Sequence, residues 1–445
     1  MTQLLTDIDQ REALPKAHDG TFDAEQSHLV QRIHQQLIQE IDLAALAKQA
    51  PEKAREAVEA TVRSLVNELG DGLYGETKES VLRAVLDEAV GLGPIQTLVD
   101  DPSISEVMVN APDEVYFERD GVIYLSPLNF RDDAHIMRIV DRIIAPLGRR
   151  IDESSPYVDA RLADGSRVNV VIPPLIPRSP TLTIRKFRPD RHTVEDLVAN
   201  GTLTEWLVDF LRACVRLRLN IVISGGSGTG KTTLLNALST FLPSSERIIT
   251  VEDPIELKLQ QRHVIAMEAR PANIEGRNQV TQRDLVRNAL RMRPDRIVVG
   301  EVRGGESFDM LQAMNTGHEG SLTTVHANTT RDALSRIENM VLMAGLELPV
   351  RAIREQIASA VHLVIQIARF GDGRRRVTLL SEITGMEGDV VTMQDLFRFE
   401  QTGVDDDGRV LGELQPTGIM PTFAEMFSKM GISFDWAAHN VVQWG

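Results

Sequence analysis

The stretch ISGGSGTGKTTLLNAL, residues Ile223 to Leu238, decides how the rest of the chain is read. Gly225 to Thr232 fits the pattern G-x-x-x-x-G-K-[ST]. Glycines admit positive φ and let backbone N–H groups close on phosphate oxygens. A helix starting near Gly230 aims its positive N-terminal end at the same anion. Lys231 is of the type that reaches β- and γ-phosphates, and the Thr232 hydroxyl of the type that ligates Mg2+. The pattern alone can arise by chance, but its surroundings are specific. "NIVIS" before it reads as a buried strand, and "TTLLNALSTFL" after it as a helix with one apolar face. The predicted nucleotide-binding set is Gly226, Ser227, Gly228, Thr229, Gly230, Lys231, Thr232 and Thr233.

Phosphoryl chemistry at such a loop needs a carboxylate on the metal side and a group that orients water. Two apolar runs downstream end in acids. "RIITVEDPIE" places Glu252 and Asp253 after Ile248–Val251, and "DRIVVGEVRGG" places Glu301 after Ile297–Val299. Ligands of open parallel sheets bind outside the carboxyl ends of the strands, so both glutamates are expected to converge on the glycine loop. Glu301 stands where a Walker-B acid belongs, and the residues alone leave open which glutamate lies on the metal side. Gly300 stands where many nucleotide hydrolases carry Asp. Asp253 and Glu256 are further candidates. His318 and His326 bracket "SLTTV" and are expected to act near the terminal phosphate. No Cys or other His clusters with the pair, which argues against a zinc-type site.

The 445 residues are enough for two to four domains of about 100–200 residues each. Hydrophobic content of 42% and charged content of 25% are those of a globular protein. No apolar run reaches the roughly 18 residues that span a bilayer. The acidic, polar start "MTQLLTDIDQREALPKAHDG" lacks the pattern of a signal peptide, so a cytoplasmic location is expected. Cys214 is the one cysteine, which excludes an internal disulfide and reads as a small core residue. A net charge of −16 argues against stable nucleic-acid binding, which rests on Lys and Arg neutralising phosphates.

Along the chain, residues 1–25 read as a polar tail and 26–75 as a helical bundle extension. Leu29, Ile33, Leu37 and Ile41 recur every four residues, and a second amphipathic run follows Pro51. "KESVLRAVLDEAV" reads as a third helix ending at Gly91. Residues 76–188 read as an α/β domain. "SEVMVN", "EVYFER", "GVIYLS", "SRVNVVIPP" and "TLTIRKFRP" alternate as strands, and Asp120-Gly121 signals a hairpin. Pro173, Pro174, Pro177 and Pro180 mark a loop. Residues 189–197 read as a linker. Residues 198–445 read as a nucleotide-binding domain with a C-terminal subdomain.

Four stretches, "GGSGTGKTTLLNAL", "TVEDPIEL", "RPDRIVVGEVRGGE" and "TGHEGSLTTVHAN", resemble in this order the Walker A, Asp, Walker B and His boxes of secretion-superfamily ATPases. "GLGPIQTLVDDPSISEVMVNAPDEVYFERDG", "RLADGSRVNVVIPP" and "LLSEITGMEGDVVTMQDLFRFEQTG" look like the tight-adherence (Tad) pilus branch of that family, CpaF/TadA. The resemblance covers roughly residues 75–435. It implies a RecA-like C-terminal P-loop domain, a smaller N-terminal α/β domain and a homohexameric ring that binds ATP and Mg2+. It also implies arginines from the N-terminal domain at the phosphates: Arg185 and Arg188 foremost, with Arg161 and Arg167. Glu252 would polarise water and Glu301 act on the Mg2+ side.

The function implied is a motor on the cytoplasmic face of the inner membrane, held there through pilus platform proteins and driving assembly of a Tad-type pilus, with its retraction as a second direction left open. A type IV secretion ATPase moving protein or DNA is the alternative within the same class. A GTPase switch is disfavoured because no N/T-K-x-D motif is present, and "ETKES" at 76–80 comes nearest without the Asp. A nucleic-acid translocase is disfavoured by charge.

Overall fold

A computed structural model describes residues 24–40, 51–70, 73–119, 121–187, 193–272, 277–431 and 434. The chain divides into two compact units, Met1–Arg188 and Pro189–Gly445. No helix among the described residues is long and apolar enough to cross a membrane.

The first unit opens with helices Ala24–Glu40, Pro51–Leu69 and Gly75–Val90. Ile33, Leu37, Val62, Leu65, Val81 and Val85 from all three form one apolar core, as the four-residue spacing requires. Helix Gly75–Val90 therefore belongs to the bundle, and the α/β part begins beyond Gly91 rather than at residue 76. The end of that helix is satisfied from the next element. Arg142 donates to the Glu88 carbonyl at 2.9 Å, placing a cation on the orphan carbonyls of a helix terminus. His135 Nε2 lies 3.0 Å from the Glu88 carboxylate.

Six antiparallel strands follow: β1 (Ile104–Ala111), β2 (Glu114–Arg119), β3 (Val122–Leu125), β4 (Tyr157–Arg161), β5 (Arg167–Val171) and β6 (Thr181–Arg185). Their order is β3-β2-β1-β6-β5-β4. Helix Asp133–Ile144 packs Ile136, Ile139, Val140 and Ile143 into the core beneath the sheet. Arg119 pairs with Val122, which leaves a two-residue hairpin turn, and Gly121 takes φ 82°. Asp120 lies outside the described residues. Edge strand β4 was not anticipated. Its "YVDAR" buries only one side chain fully and carries little apolar alternation.

In the second unit, helix Val194–Ala199 begins inside the expected linker, fixed by a Thr193–Asp196 capping box. Then come β7 (Ile221–Ser224), β8 (Ile248–Glu252), β9 (Val264–Glu268), β10 (Arg296–Val299), β11 (Leu322–Val325), β12 (Leu363–Arg369), β13 (Arg375–Glu387), β14 (Val390–Val404) and β15 (Val410–Pro416). They form one sheet in the order β15-β14-β13-β12-β7-β11-β10-β8-β9. The strands from β12 to β9 are parallel and those from β13 to β15 antiparallel. Two apolar clusters, one on each face, enclose the parallel strands. The expected C-terminal subdomain is instead an extension of this sheet, because Leu396, Phe397 and Leu414 share a core with Leu207 and Phe210. Cys214 is fully buried there, and burial pushes its thiol pKa well up.

Candidate nucleotide site at the carboxyl ends of the sheet

All four residues of β7 are buried, and the chain leaves the sheet directly into the glycine loop. Gly225 has no room for a side chain: a Cβ there would sit 2.5 Å from the Ile367 carbonyl oxygen and 2.6 Å from Thr229 Oγ1. Gly228 and Gly230 take φ 69° and 97°, the left-handed conformation that curls the backbone inward before helix Lys231–Ser239. Thr229 Oγ1 donates to the Gly226 carbonyl at 3.0 Å and braces the loop.

Lys231 is only 7% exposed. Its Nζ donates to the Gly226 carbonyl at 2.9 Å and lies 3.3 Å from His326 Nε2. Burial lowers the lysine pKa, opposed by the Glu301 carboxylate. His326 Nε2 is in turn 2.7 Å from Glu301 Oε1. Burial first, and then Lys231, lower the imidazole pKa. Arg303 completes the group by donating to Glu301 Oε2 through Nε at 2.9 Å and Nη2 at 2.6 Å. Lys231, His326, Glu301 and Arg303 thus form one contiguous polar group, supplied by the ends of β7, β11 and β10, in which His326 Nε2 either accepts from Lys231 or donates to Glu301.

Glu252 ends β8 and is 2% exposed. Its Oε2 accepts from the Glu256 and Leu257 N–H groups at 2.7 and 2.9 Å. Burial raises its pKa, and those two backbone bonds oppose the rise. Gly300 has its explanation here. A Cβ at 300 would stand 2.9 Å from Glu252 Cγ, so the Glu252 side chain fills the space that the usual Asp would take. By holding the backbone at 256, Glu252 shapes the loop that brings Glu256 Oε2 to 3.5 Å from Thr232 Oγ1. The carboxylate beside Thr232 is therefore Glu256, where Glu301 was expected.

His318 does not join the site. It precedes β11, whereas His326 follows it, and a parallel strand delivers its two ends to opposite edges of the sheet. Ser321 Oγ donates to the His318 carbonyl at 2.8 Å, tying it to the amino end. Arg185 ends β6 in the first unit, with Nε 3.5 Å from Glu106 Oε1. Arg161, Arg167 and Arg185 stand directly opposite one another across β4, β5 and β6. Arg188 lies outside the described residues.

Sequence reasoning missed Arg303 and gave Glu256 no assigned role. Arg303 could have been found from its place two residues after Glu301. Glu256 ends no strand and is brought in by a loop.

The residues fit a nucleotide. The loop excludes a Cβ at Gly225, a buried lysine faces it, and a hydroxyl beside a carboxylate suits a hard cation. Among the described residues no three His, Cys, Asp or Glu side chains converge as a metal site. Mg2+ is commonly held by one or two protein groups together with substrate phosphates. The strand order separates the loop strand β7 from the acid-bearing β10 by β11, and the unit is a RecA-like P-loop fold.

Residues 88–395 match the type II/IV secretion system protein family, and the chain belongs to it. The chain is 37% identical over 341 residues to a putative conjugal transfer protein of Mycobacterium tuberculosis H37Rv, spanning 75% of this chain and 95% of that one. It is 33% identical over 303 residues to the type IV secretion system protein VirB11 of Brucella suis, spanning 62% of this chain and 84% of VirB11. The crystal structure of the Brucella suis VirB11 ATPase with sulphate aligns with 64% of this chain and 94% of that one, at 30% identity and a TM-score of 0.36.

Proposed function

We propose that the chain is an ATP-hydrolysing motor subunit that works as a homohexamer on the cytoplasmic side of the inner membrane and powers assembly of a Tad-type pilus. The observation that carries the hydrolytic reading is the connected group Lys231–His326–Glu301 at the mouth of the glycine loop. ATP with Mg2+ supplies a terminal phosphoryl group for transfer to water. The loop N–H groups and Lys231 hold the phosphates, Thr232 and an acid hold the cation, and the remaining acid accepts a proton from water. Glu252, with its raised pKa and its grip on the backbone at 256, suits either base or positioning duty. Arg185 is the foremost arginine candidate, judged by turnover after Arg185→Ala.

The test is steady-state ATP hydrolysis by the purified chain, its Lys231→Ala and its Glu252→Gln variants, with oligomer size measured alongside. Both variants are expected to lose turnover while remaining folded, and wild-type turnover in either overturns the assignment. The similarity to VirB11 and to a conjugal transfer protein favours a second reading, a type IV secretion ATPase moving protein or DNA. Pilin and prepilin-peptidase genes beside this one support the pilus, and conjugation genes support secretion.

A further inference from the structure

Strand β12 is buried from Leu363 to Ile367, and Gln366 is the one polar residue in that run. It is 5% exposed. Leu363, Ile365 and Ile367 pack on the face that carries the loop helix, with Leu234 and Leu238, whereas Val364 packs on the other. Side chains alternate along a strand, so Gln366 points the same way as Val364, away from the loop helix. From there its Nε2 donates to the Ala327 carbonyl at 3.3 Å. Ala327 directly follows His326. The amide therefore reaches past β7 to the turn after β11, which presents the imidazole to Lys231 and Glu301.

Two features set this contact apart from ordinary packing. The first is a register shift at Gln366. Gln366 pairs with Leu379 and Ile367 with Val377, which leaves Thr378 as an extra residue on β13. Thr378 Oγ1 donates to the Gln366 carbonyl at 3.4 Å. Such bulges re-aim side chains and are over-represented beside active sites. The second feature is unused hydrogen-bonding capacity. Gln366 Oε1 is buried and has no hydrogen-bond partner among the described residues. The same holds for Oγ of Ser224, its direct neighbour on β7. An unsatisfied buried polar group costs about 1–3 kcal/mol, so an apolar side chain of similar volume would serve the core better. The one bond that the buried amide does make goes to the turn beside the site.

We propose that Gln366 is a positioning residue for phosphoryl transfer, its amide holding the Ala327 carbonyl so that His326 stays set beside Lys231 and Glu301. The inference rests on the nucleotide-hydrolysing reading given above. Gln366 acts from the face away from the loop helix, through the backbone. Ile367, next in the strand, packs against the loop at Gly225. Two successive residues of β12 thus brace the imidazole turn and the phosphate loop together.

The test uses the full chain, with Mg-ADP affinity from calorimetry, phosphate release from Mg-ATP in a single turnover, and melting curves. Gln366→Met and Gln366→Leu fill the space and remove the amide. Both are expected to melt near wild type, since replacing an under-satisfied polar group by an apolar one is close to neutral. Both are expected to bind Mg-ADP within about twofold of wild type and to release phosphate about tenfold more slowly, because a small misplacement at a reacting centre costs rate. In a His326→Ala background, adding Gln366→Met is expected to slow release by less than a further twofold or so, since its effect passes through the imidazole. An equal loss with and without His326, a matching loss of Mg-ADP binding, wild-type release by the folded variants, or unfolding of both variants overturns the positioning role. If wild type releases no phosphate, the hydrolytic reading itself fails and this inference with it.

Discussion

The two ends of the parallel sheet treat buried polar groups in opposite ways. At the amino ends Asn220 uses every hydrogen bond that it has. Its N–H donates to His362 Nδ1 at 2.9 Å, and its amide donates to the Ala360 carbonyl at 2.6 Å and the Met314 carbonyl at 3.3 Å. Its Oδ1 accepts from the Gly320 and Ser321 N–H groups at 2.8 and 3.0 Å. Nearby Arg296, fully buried, donates to Glu246 at 2.5 Å and to the Gly320 carbonyl at 3.2 Å. At the carboxyl ends Lys231, His326, Glu301 and Arg303 hold mainly one another, so a phosphate or cation can enter by exchange of partners. Closed networks hold β7, β10, β11 and β12 in register, and the partly exchangeable one lies where the proposed ligand would bind. The same buried strands make both, because their two ends emerge into different loops.

That contrast can be broken from either end. The largest expected effect on folding follows Arg296→Met, which leaves Glu246 without its main partner. Removing one member of a buried pair costs about 3–5 kcal/mol, and chemical denaturation should show a loss of that size. Asn220→Ala strands several backbone groups of the neighbouring strands, and a destabilisation of about 3 kcal/mol is expected in the same assay. At moderate temperature the folded fraction of Asn220→Ala should keep wild-type turnover, since the lesion lies at the far end of the sheet.

Lys231→Ala should do the reverse, lowering turnover by about 10²–10³-fold, as losing one stabilising group at a reacting centre does, with little change in melting temperature. If the amino-end variants lose turnover while folded, or Lys231→Ala unfolds the chain, the division of labour is wrong.

The smallest effect concerns pH. Glu252 has a raised pKa in the folded chain, with burial the main cause. A raised carboxyl pKa means that the folded state binds the proton more tightly than the unfolded one. Its contribution to stability is therefore full at acid pH and declines as pH rises through the folded pKa. Glu252→Gln should remove that decline, so melting temperature relative to wild type should climb as pH increases through the carboxyl range. A flat difference across that range would contradict a raised Glu252 pKa.

Much of this was legible in the sequence because a few residues have no second use. A lysine after a glycine run, between an apolar strand and an apolar-faced helix, fixes β7, its loop and the helix together. The Asp120-Gly121 pair and the alternation around it gave the β2–β3 hairpin for the same reason. The C-terminal strands were hidden because β13 and β14, 13 and 15 residues long, slip register at Leu380/Ser381 and Ile383/Gly385. Each slip moves the apolar side chains to the other face and erases the period of two. His318 misled because the strand between the two histidines was legible, but not that it delivers them to opposite edges of the sheet. Glu256 was underweighted because its position depends on Glu252 holding the loop, a tertiary contact with no local signature.

The central claim is that Glu301 acts on a triphosphate seated at Lys231. The most direct measurement compares Mg-ATP binding and phosphate release by wild type and Glu301→Gln. The account predicts that the variant binds Mg-ATP with affinity near that of wild type and releases almost no phosphate. Phosphate release by Glu301→Gln at the wild-type rate would contradict it.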